Sequence, residues 1–167
     1  MIGTGAIVGR FFLITALAFV TWAVFVPVPR SSCQIRVVPP LSVDVEDAAF
    51  GVDTWSESEG VVFLETDHVH LVPGTSFGWR LKLAAPDTAM LLREEFILPA
   101  PPAYWGISSD TVLSDDRRVA ITERVVTPDD GWLDGRWTVT PGDPAGPYQL
   151  RVFLDGALVQ TFFVTAE

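Results

Sequence analysis

A run of 18 residues without a charge, FFLITALAFVTWAVFVPV at positions 11–28, lies near the start of the chain. At 1.5 Å per residue, a helix of this length just spans the roughly 30 Å hydrocarbon core of a bilayer. Residues 6–8 lengthen it if the side chain of Arg10 extends to the membrane interface. The sequence therefore predicts a transmembrane helix over about residues 6–28, within a membrane anchor formed by residues 1–29.

The apolar run is interpreted as an uncleaved anchor. A signal peptide has a basic start, an apolar stretch of about 7–15 residues and a small-x-small cleavage site. The start of this chain carries only Arg10 and the α-amine, and the small-x-small triplet at 16–18 lies inside the run. The run ends with Pro-Val-Pro-Arg at 27–30, which is a poor cleavage site, so we expect the segment to be retained.

Charge is unevenly distributed along the chain. All 21 acidic residues but only 8 of the 11 basic residues follow residue 40, which gives that part a formal charge of −13 and the whole chain −10. An acidic β domain behind an N-terminal anchor is typically exported. We expect a single-pass protein of the bacterial inner membrane, with a cytoplasmic N-terminus and a periplasmic domain. The negative charge also argues against binding of nucleic acid, which requires basic patches.

Cys33 is the only cysteine, so no disulfide can form within the chain. A cysteine shortly after an apolar segment raises the alternative of lipid attachment, but the preceding Arg-Ser-Ser at 30–32 does not fit that signal. A free thiol is the favoured interpretation. Residues 30–41, which contain a Pro-Pro pair, are predicted to form an extended linker. Residues 42–167 are enough for one domain with a single core.

Alternation of apolar and polar residues indicates that this domain is all-β. In SFGWRLKLAA at 76–85, Phe77, Trp79, Leu81 and Leu83 alternate with small or charged residues, as in a strand with one buried face. Residues 44–59 are acidic and are expected to be irregular, with one possible short strand. Further strands are predicted at 61–66, with a continuation over 68–72, and at 90–98, 119–126, 136–140, 148–154 and 157–165.

The last two strands form the clearest hairpin, because Asp155-Gly156 between them is a strong turn signal. A regular register would place Leu154 opposite Ala157, Val152 opposite Val159, and Tyr148 opposite Phe163. About seven strands with no helix after residue 40 predict an antiparallel, immunoglobulin-like β-sandwich behind the transmembrane helix. The Cys…Trp…Cys pattern of true immunoglobulin domains is missing, so the similarity is one of architecture.

Three segments of this domain resemble an uncharacterised bacterial family of exported, immunoglobulin-like β-sandwich proteins. They are PGTSFGWR at 73–80, the proline-rich LPAPP at 98–102, and the closing hairpin at 146–162. The resemblance extends over about residues 60–165. It implies a small exported sandwich, often attached to a membrane or a lipid, with no established activity.

No catalytic constellation is found in the sequence, and the protein is predicted not to be an enzyme and to have no cofactor. The chain has no Gly-x-Ser-x-Gly motif, and no pair of carboxylates stands out as a general acid and base. The only histidines, His68 and His70, have a spacing that puts both rings on one face of a strand. With Glu65 or Asp67 they could supply metal ligands, but surface histidines are favoured and no metal site is predicted.

Aromatic residues in turns are the best candidates for an interaction site. Tyr104 and Trp105 follow prolines in a loop, and Trp132 lies in the turn DDGWLD at 129–134. Such side chains often dominate binding at interfaces, and they could also stack on a sugar ring or fold over the ends of the sandwich.

Two functions fit this sequence. The first is a non-catalytic accessory protein, whose periplasmic sandwich docks onto a larger respiratory, photosynthetic or envelope membrane complex. The alternative is a periplasmic module that binds a small ligand, a sugar or a cation.

Overall fold

Ten β-strands in two sheets form the part of the chain that the computed structural model describes, namely residues 43–84, 88–106 and 108–167. The predicted anchor at 1–29, the linker at 30–41 and Cys33 lie outside these residues. Within the described ranges, no helix has the length and apolar character needed to cross a bilayer. The strands are β1 (Val45–Ser56), β2 (Gly60–Glu65), β3 (His68–Val69), β4 (Ser76–Leu83), β5 (Met90–Ile97), β6 (Thr111–Leu113), β7 (Val119–Val126), β8 (Trp132–Thr138), β9 (Gly146–Leu154) and β10 (Ala157–Ala166).

The four-stranded sheet has the order β2-β1-β4-β8, and every neighbouring pair is antiparallel. Residues 44–59 were expected to be irregular, with one possible short strand. That prediction is wrong, because β1 is a strand of 12 residues inside this sheet. Its acidic residues lower its local preference for a strand, but pairing on both sides stabilises it. Asp53, for example, accepts a hydrogen bond from Ser76 and pairs with Arg136 at 3.1 Å.

The six-stranded sheet has the order β3-β10-β9-β5-β7-β6. Its neighbours are antiparallel except for β3, which runs parallel to β10. The predicted strands at 90–98, 119–126, 148–154 and 157–165 are all present in it. Strand β6 was not predicted; it has three residues and pairs only with β7. The prediction of an all-β sandwich is confirmed, with more strands than the expected seven.

A β-bulge sets the register of the closing hairpin. Leu154 faces Ala157 as predicted, and positive φ angles at Asp155 (48°) and Gly156 (83°) fit a tight turn. The other two predicted pairs are wrong, because β10 has an irregularity between Leu158 and Gln160. Val152 therefore pairs with Gln160, and Tyr148 with Val164.

One extra residue in a strand reverses which side chains face the core. Without the bulge, Thr161 and Phe163 would point inward. With it, Phe162 and Val164 are buried, and Phe163 is exposed. Phe162 contacts Phe50 of the opposite sheet with a ring-centroid distance of 6.0 Å. The bulge thus brings the most apolar part of β10 into the core between the sheets.

The two phenylalanines of β10 provide a test of this register. Phe162→Ala should lower the free energy of unfolding by about 3 kcal/mol or more, because it removes a buried ring and leaves a cavity. Phe163→Ala should change it by about 0.5 kcal/mol at most, because that ring is in solvent. Urea unfolding followed by tryptophan fluorescence measures both. The reverse ranking of the two variants would contradict the bulged register.

Candidate functional site

A carboxylate in the core joins the two sheets. Glu94 lies on β5 between Leu92 and Phe96, at an inward-facing position, and is only 4% exposed. Trp79 on β4 donates its indole N–H to Glu94 Oε2 at 2.6 Å, and Trp137 on β8 donates its indole N–H to Oε1. Each oxygen of this buried group therefore has a partner from the opposite sheet, as a buried polar group requires.

Gly135 makes room for this cluster. A Cβ atom at this position would lie 2.4 Å from Trp79 Nε1 and 2.6 Å from Glu94 Oε2, which is closer than real Cβ contacts. Gly135 pairs directly with Trp79 across β4 and β8. The close approach of the indole and the carboxylate therefore depends on glycine at residue 135.

Burial dominates the electrostatics of Glu94. Loss of hydration raises the pKa of its carboxyl above the ordinary value of 4.5. The hydrogen bonds from Trp79 and Trp137 and the positive charge of Arg124 lower the pKa, but by less. A carboxylate with a perturbed pKa beside a cavity is a recognised mark of a functional site.

A cleft of about 260 Å³ opens beside Glu94. It lies between the β8 edge of one sheet and the β6–β7 edge of the other, and we call it the Glu94 cleft. Glu94 and Thr122 form its floor, and the Thr122 hydroxyl lies 2.9 Å from the hydroxyl of Thr111. Tyr104 and Arg124, both exposed, line its mouth.

Trp105 is part of the core, so its predicted role as an exposed interaction residue is wrong. Its side chain is 6% exposed, and its indole N–H donates to the Arg117 carbonyl at 2.8 Å. The ring packs edge-on against Phe96 and Trp137, each at a centroid distance of 6.0 Å. Tyr104 is 65% exposed, so the structure separates the roles of these two neighbours.

Trp132 is partly exposed and closes the predicted turn, since its N–H donates to the Asp129 carbonyl at 2.8 Å and its carbonyl accepts from the Asp129 N–H at 3.0 Å. It is the first residue of β8, and the preceding turn has positive φ angles at Asp130 and Gly131. The ammonium group of Lys82 lies 5.4 Å from the centroid of its ring. Trp132 pairs with Lys82 on the solvent-facing side of the four-stranded sheet, away from the Glu94 cleft.

The two histidines lie near the C-terminal residue. Nδ1 of His68 is 3.8 Å and Nδ1 of His70 is 3.9 Å from one carboxylate oxygen of Glu167, and Nε2 of His68 is 3.5 Å from Asp67. Both rings are exposed. Among the residues with described positions, no group of three or more His, Cys, Asp or Glu side chains is arranged to hold a metal ion.

The outer face of the six-stranded sheet exposes apolar side chains from four of its strands. The paired residues of β10, β9, β5, β7 and β6 place them on one surface, which we call the outer face. Its exposed members are Leu91, Val112, Val125, Leu158 and Phe163.

Ion pairs cross the middle of the outer face. Arg93 pairs with Glu95 at 2.7 Å and with Glu123 at 3.2 Å, and Arg151 lies 3.6 Å from Glu95. These two positive and two negative side chains compensate one another. The outer face therefore combines exposed apolar side chains with compensated charges, although the chain after residue 40 carries −13.

Glu94 was not among the site residues predicted from the sequence. The available signal was its position in MLLREEFI, where Glu94 is in phase with the apolar residues Leu92 and Phe96. A carboxylate in phase with a buried stripe is an exception to the alternation and requires partners in the core. The sequence did not indicate that those partners would be two indole groups.

The pH dependence of stability tests the state of Glu94. The pKa of Glu94 is higher in the folded than in the unfolded protein. At pH values between these two pKa values, the folded state therefore binds more protons than the unfolded state. The free energy of unfolding should therefore fall as the pH rises through that interval. In Glu94→Gln, this pH dependence of the free energy of unfolding should vanish. The variant should also be less stable by about 1–3 kcal/mol at every pH, because the amide N–H₂ of glutamine would face an indole N–H.

Glu95→Gln is the matched control for Glu94→Gln. Glu95 is the next residue but lies on the outer face, where it pairs with Arg93 and Arg151. Urea unfolding between about pH 4 and pH 8 gives the free energy of each variant. A Glu94→Gln profile parallel to that of the unmodified protein would contradict a raised pKa at Glu94.

Alanine substitutions should separate the two neighbouring aromatic residues. Trp105→Ala removes a buried ring and its hydrogen bond, and should lower the free energy of unfolding by about 3–5 kcal/mol. Tyr104→Ala should stay within about 0.5 kcal/mol of the unmodified protein. Thermal or urea unfolding measures the difference. Equal stability of the two variants would argue against the burial of Trp105.

Comparisons with known proteins agree on this fold. An immunoglobulin-like protein from Pseudomonas aeruginosa is similar in structure, with a TM-score of 0.50 and 19% identity over 77% of this chain and 98% of that chain. An alkylpurine DNA glycosylase, AlkC of Pseudomonas fluorescens (TM-score 0.34, 12% identity, 60% of this chain, 28% of that chain), is too distant to support an argument. The same holds for a β-glucosidase from Listeria innocua (TM-score 0.36, 10% identity, 84% and 20%).

No curated protein compared with the chain matches it. The model of one protein family, described as the PM0630 beta sandwich domain, matches residues 48–164. That match spans both sheets, from β1 to β10, and confirms the expected membership of an immunoglobulin-like sandwich family. The chain belongs to the PM0630 beta sandwich domain family.

Proposed function

We propose that this protein is a non-catalytic docking module, and that the outer face of its six-stranded sheet binds a protein partner. The observation that supports this most is the concentration of exposed apolar side chains on that face. Phe163 is 72% exposed and Leu158 is 55% exposed, and both lie on β10. Exposed apolar side chains grouped on one face of a domain are typical of interaction sites.

The charge pattern of the outer face supports contact with another protein. Interface cores are depleted of unpaired charge, because desolvating a lone charge is costly. On this face, Arg93, Arg151, Glu95 and Glu123 already pair with one another. The guanidinium of Arg93 also lies 5.8 Å from the ring centroid of Phe153. A partner can thus cover the face without leaving a single charge unpaired.

The partner we propose is a different protein, not a second copy of this chain. Two copies would bring together domains that each carry a formal charge of −13 after residue 40, and like charges repel. A neutral or basic rim around an apolar patch on the partner would match this protein better. The same charge keeps the free domain soluble until it docks.

The uncharged run at 11–28 supports a membrane location for this interaction. We propose that it anchors the chain in the bacterial inner membrane, with the N-terminus in the cytoplasm and the sandwich in the periplasm. The partner would then be part of a larger membrane complex. Anchoring raises the local concentration of the domain at such a complex, so that a modest contact area is sufficient.

Serine substitutions on the outer face should weaken docking. In the double variant Leu158→Ser and Phe163→Ser, two exposed apolar groups are lost, and recovery of the partner should fall at least tenfold. The tagged full-length chain is purified from native membranes in mild detergent, and co-purifying proteins are quantified by mass spectrometry. Leu64→Ser is the matched control, because Leu64 lies on β2 of the other sheet and is also 55% exposed.

The outcomes of this experiment are distinct. Loss of specific partners in the double variant, with retention in Leu64→Ser, supports docking through the outer face. Equal loss in both variants, or recovery of the chain alone under gentle extraction, contradicts it. Recovery of a second, differently tagged copy of this chain as the main partner would contradict the proposal that the partner is a different protein.

A further inference from the structure

The Glu94 cleft is not used by the docking surface. It opens on the inner side of β5 and β7, whereas docking uses the opposite side of the same strands. Its lining combines a buried carboxylate, an exposed guanidinium, two threonine hydroxyls and aromatic rings. Apolar walls with a few converging polar groups are the usual composition of a small-molecule site.

Glu94 provides an acceptor at the floor of the cleft. Its two oxygens have about four lone-pair positions, and the two indole N–H groups use two of them. In the part of the chain that the structure describes, no lysine or arginine forms an ion pair with Glu94. An ammonium group from a ligand would supply the positive charge that this buried carboxylate lacks.

Arg124 provides the opposite charge at the mouth. It lies close enough for its charge to lower the pKa of both Glu94 and Asp110. Within the described ranges it forms no ion pair or hydrogen bond through its side chain. A guanidinium in this state is suited to bind a carboxylate through two parallel hydrogen bonds.

The register of the sheet makes Glu94 and Arg124 neighbours on one face. Glu94 pairs directly with Thr122, and Arg124 is two residues further along the same face of β7. The backbones of such diagonal neighbours lie about 7–8 Å apart, so one small ligand can contact both side chains. Charge-assisted hydrogen bonds of about 2.7–2.9 Å would join that ligand to the carboxylate and to the guanidinium.

The walls and the size of the cleft define the rest of the ligand. Phe96, Trp105 and Trp137 form an apolar wall, with Phe96 and Trp137 at a ring-centroid distance of 4.7 Å. The volume of about 260 Å³ is slightly below the 300 Å³ or so at which pockets for drug-sized ligands begin. A single small molecule with one apolar group therefore fits.

We infer that the Glu94 cleft binds a free α-amino acid with an apolar or aromatic side chain. The ammonium group would bind to Glu94 and the carboxylate to Arg124. The side chain would pack against the aromatic wall, and the ring of Tyr104 would close over it from the mouth. The hydroxyls of Thr111 and Thr122 can complete the hydrogen bonding of the ligand.

Isothermal titration calorimetry of the full-length chain in detergent tests this inference with matched probes. L-Phenylalanine and L-leucine are the probes. N-Acetyl-L-phenylalanine keeps the carboxylate but lacks the ammonium charge, and phenethylamine keeps the ammonium but lacks the carboxylate. We expect both analogues to bind at least tenfold more weakly than L-phenylalanine, because each leaves one protein charge without a partner.

Two arginine variants localise the site. Arg124→Gln should weaken binding of L-phenylalanine at least tenfold. Arg151→Gln is the control, because it removes the same charge from the outer face and should leave binding unchanged. Glu94→Gln should also lose binding. Because it also perturbs the core, the decision rests on Arg124→Gln and on the analogues.

Several results would overturn the inference. The first is that neither amino acid binds at millimolar concentration, or that glucose binds instead. The second is that the two analogues bind as tightly as L-phenylalanine. The third is that Arg124→Gln and Arg151→Gln change the affinity for L-phenylalanine equally. The docking variants Leu158→Ser and Phe163→Ser should bind L-phenylalanine normally. Failure of the docking proposal would therefore leave the amino-acid inference intact, and failure of the amino-acid inference would leave the docking proposal intact.

Discussion

The fold of this protein depends on the hydrogen bonds between Glu94 and the indoles of Trp79 and Trp137. A carboxylate taken out of water is costly unless each oxygen finds a donor, so the two sheets must be held at the spacing and register that provide both indoles. The residue opposite Trp79 must be glycine, because a Cβ at Gly135 would overlap the cluster. Hydrophobic burial favours many arrangements of two sheets, but this polar contact favours a single one.

The same cluster accounts for the cleft. Around Phe50, Phe77 and Phe162 the sheets meet through apolar rings, but near Glu94 the interior contains charge and hydroxyl groups. Edge strands β8 and β6 leave this region open to solvent. Polar groups that would be costly in a closed core can thus bind a ligand. The opposite side of the six-stranded sheet has its own compensated charges, so one strand, β5, contributes to two independent surfaces.

Much of the fold followed from local patterns in the sequence. Alternation at 76–85 correctly predicted β4, because a period of two has few interpretations other than a half-buried strand. The Asp155-Gly156 pair correctly predicted the last turn, since it tolerates positive φ angles. β1 was missed because its acidic residues have a low preference for strands, and the strand is stabilised by pairing with β2 and β4. The bulge in β10 was missed because no residue type marks the position where an extra residue is accommodated.

By itself, the sequence determined the fold class, the acidic charge of the domain and the closing turn, since these depend on composition and on residues close together in the chain. Only the tertiary structure decided which aromatic residues are exposed. Tyr104 and Trp105 share one loop and one local pattern, yet the carbonyl of Arg117 and the rings of Phe96 and Trp137 bury only the second. The partners of Glu94 lie 15 and 43 residues away along the chain. Long-range contacts decide such features, and local patterns do not encode them.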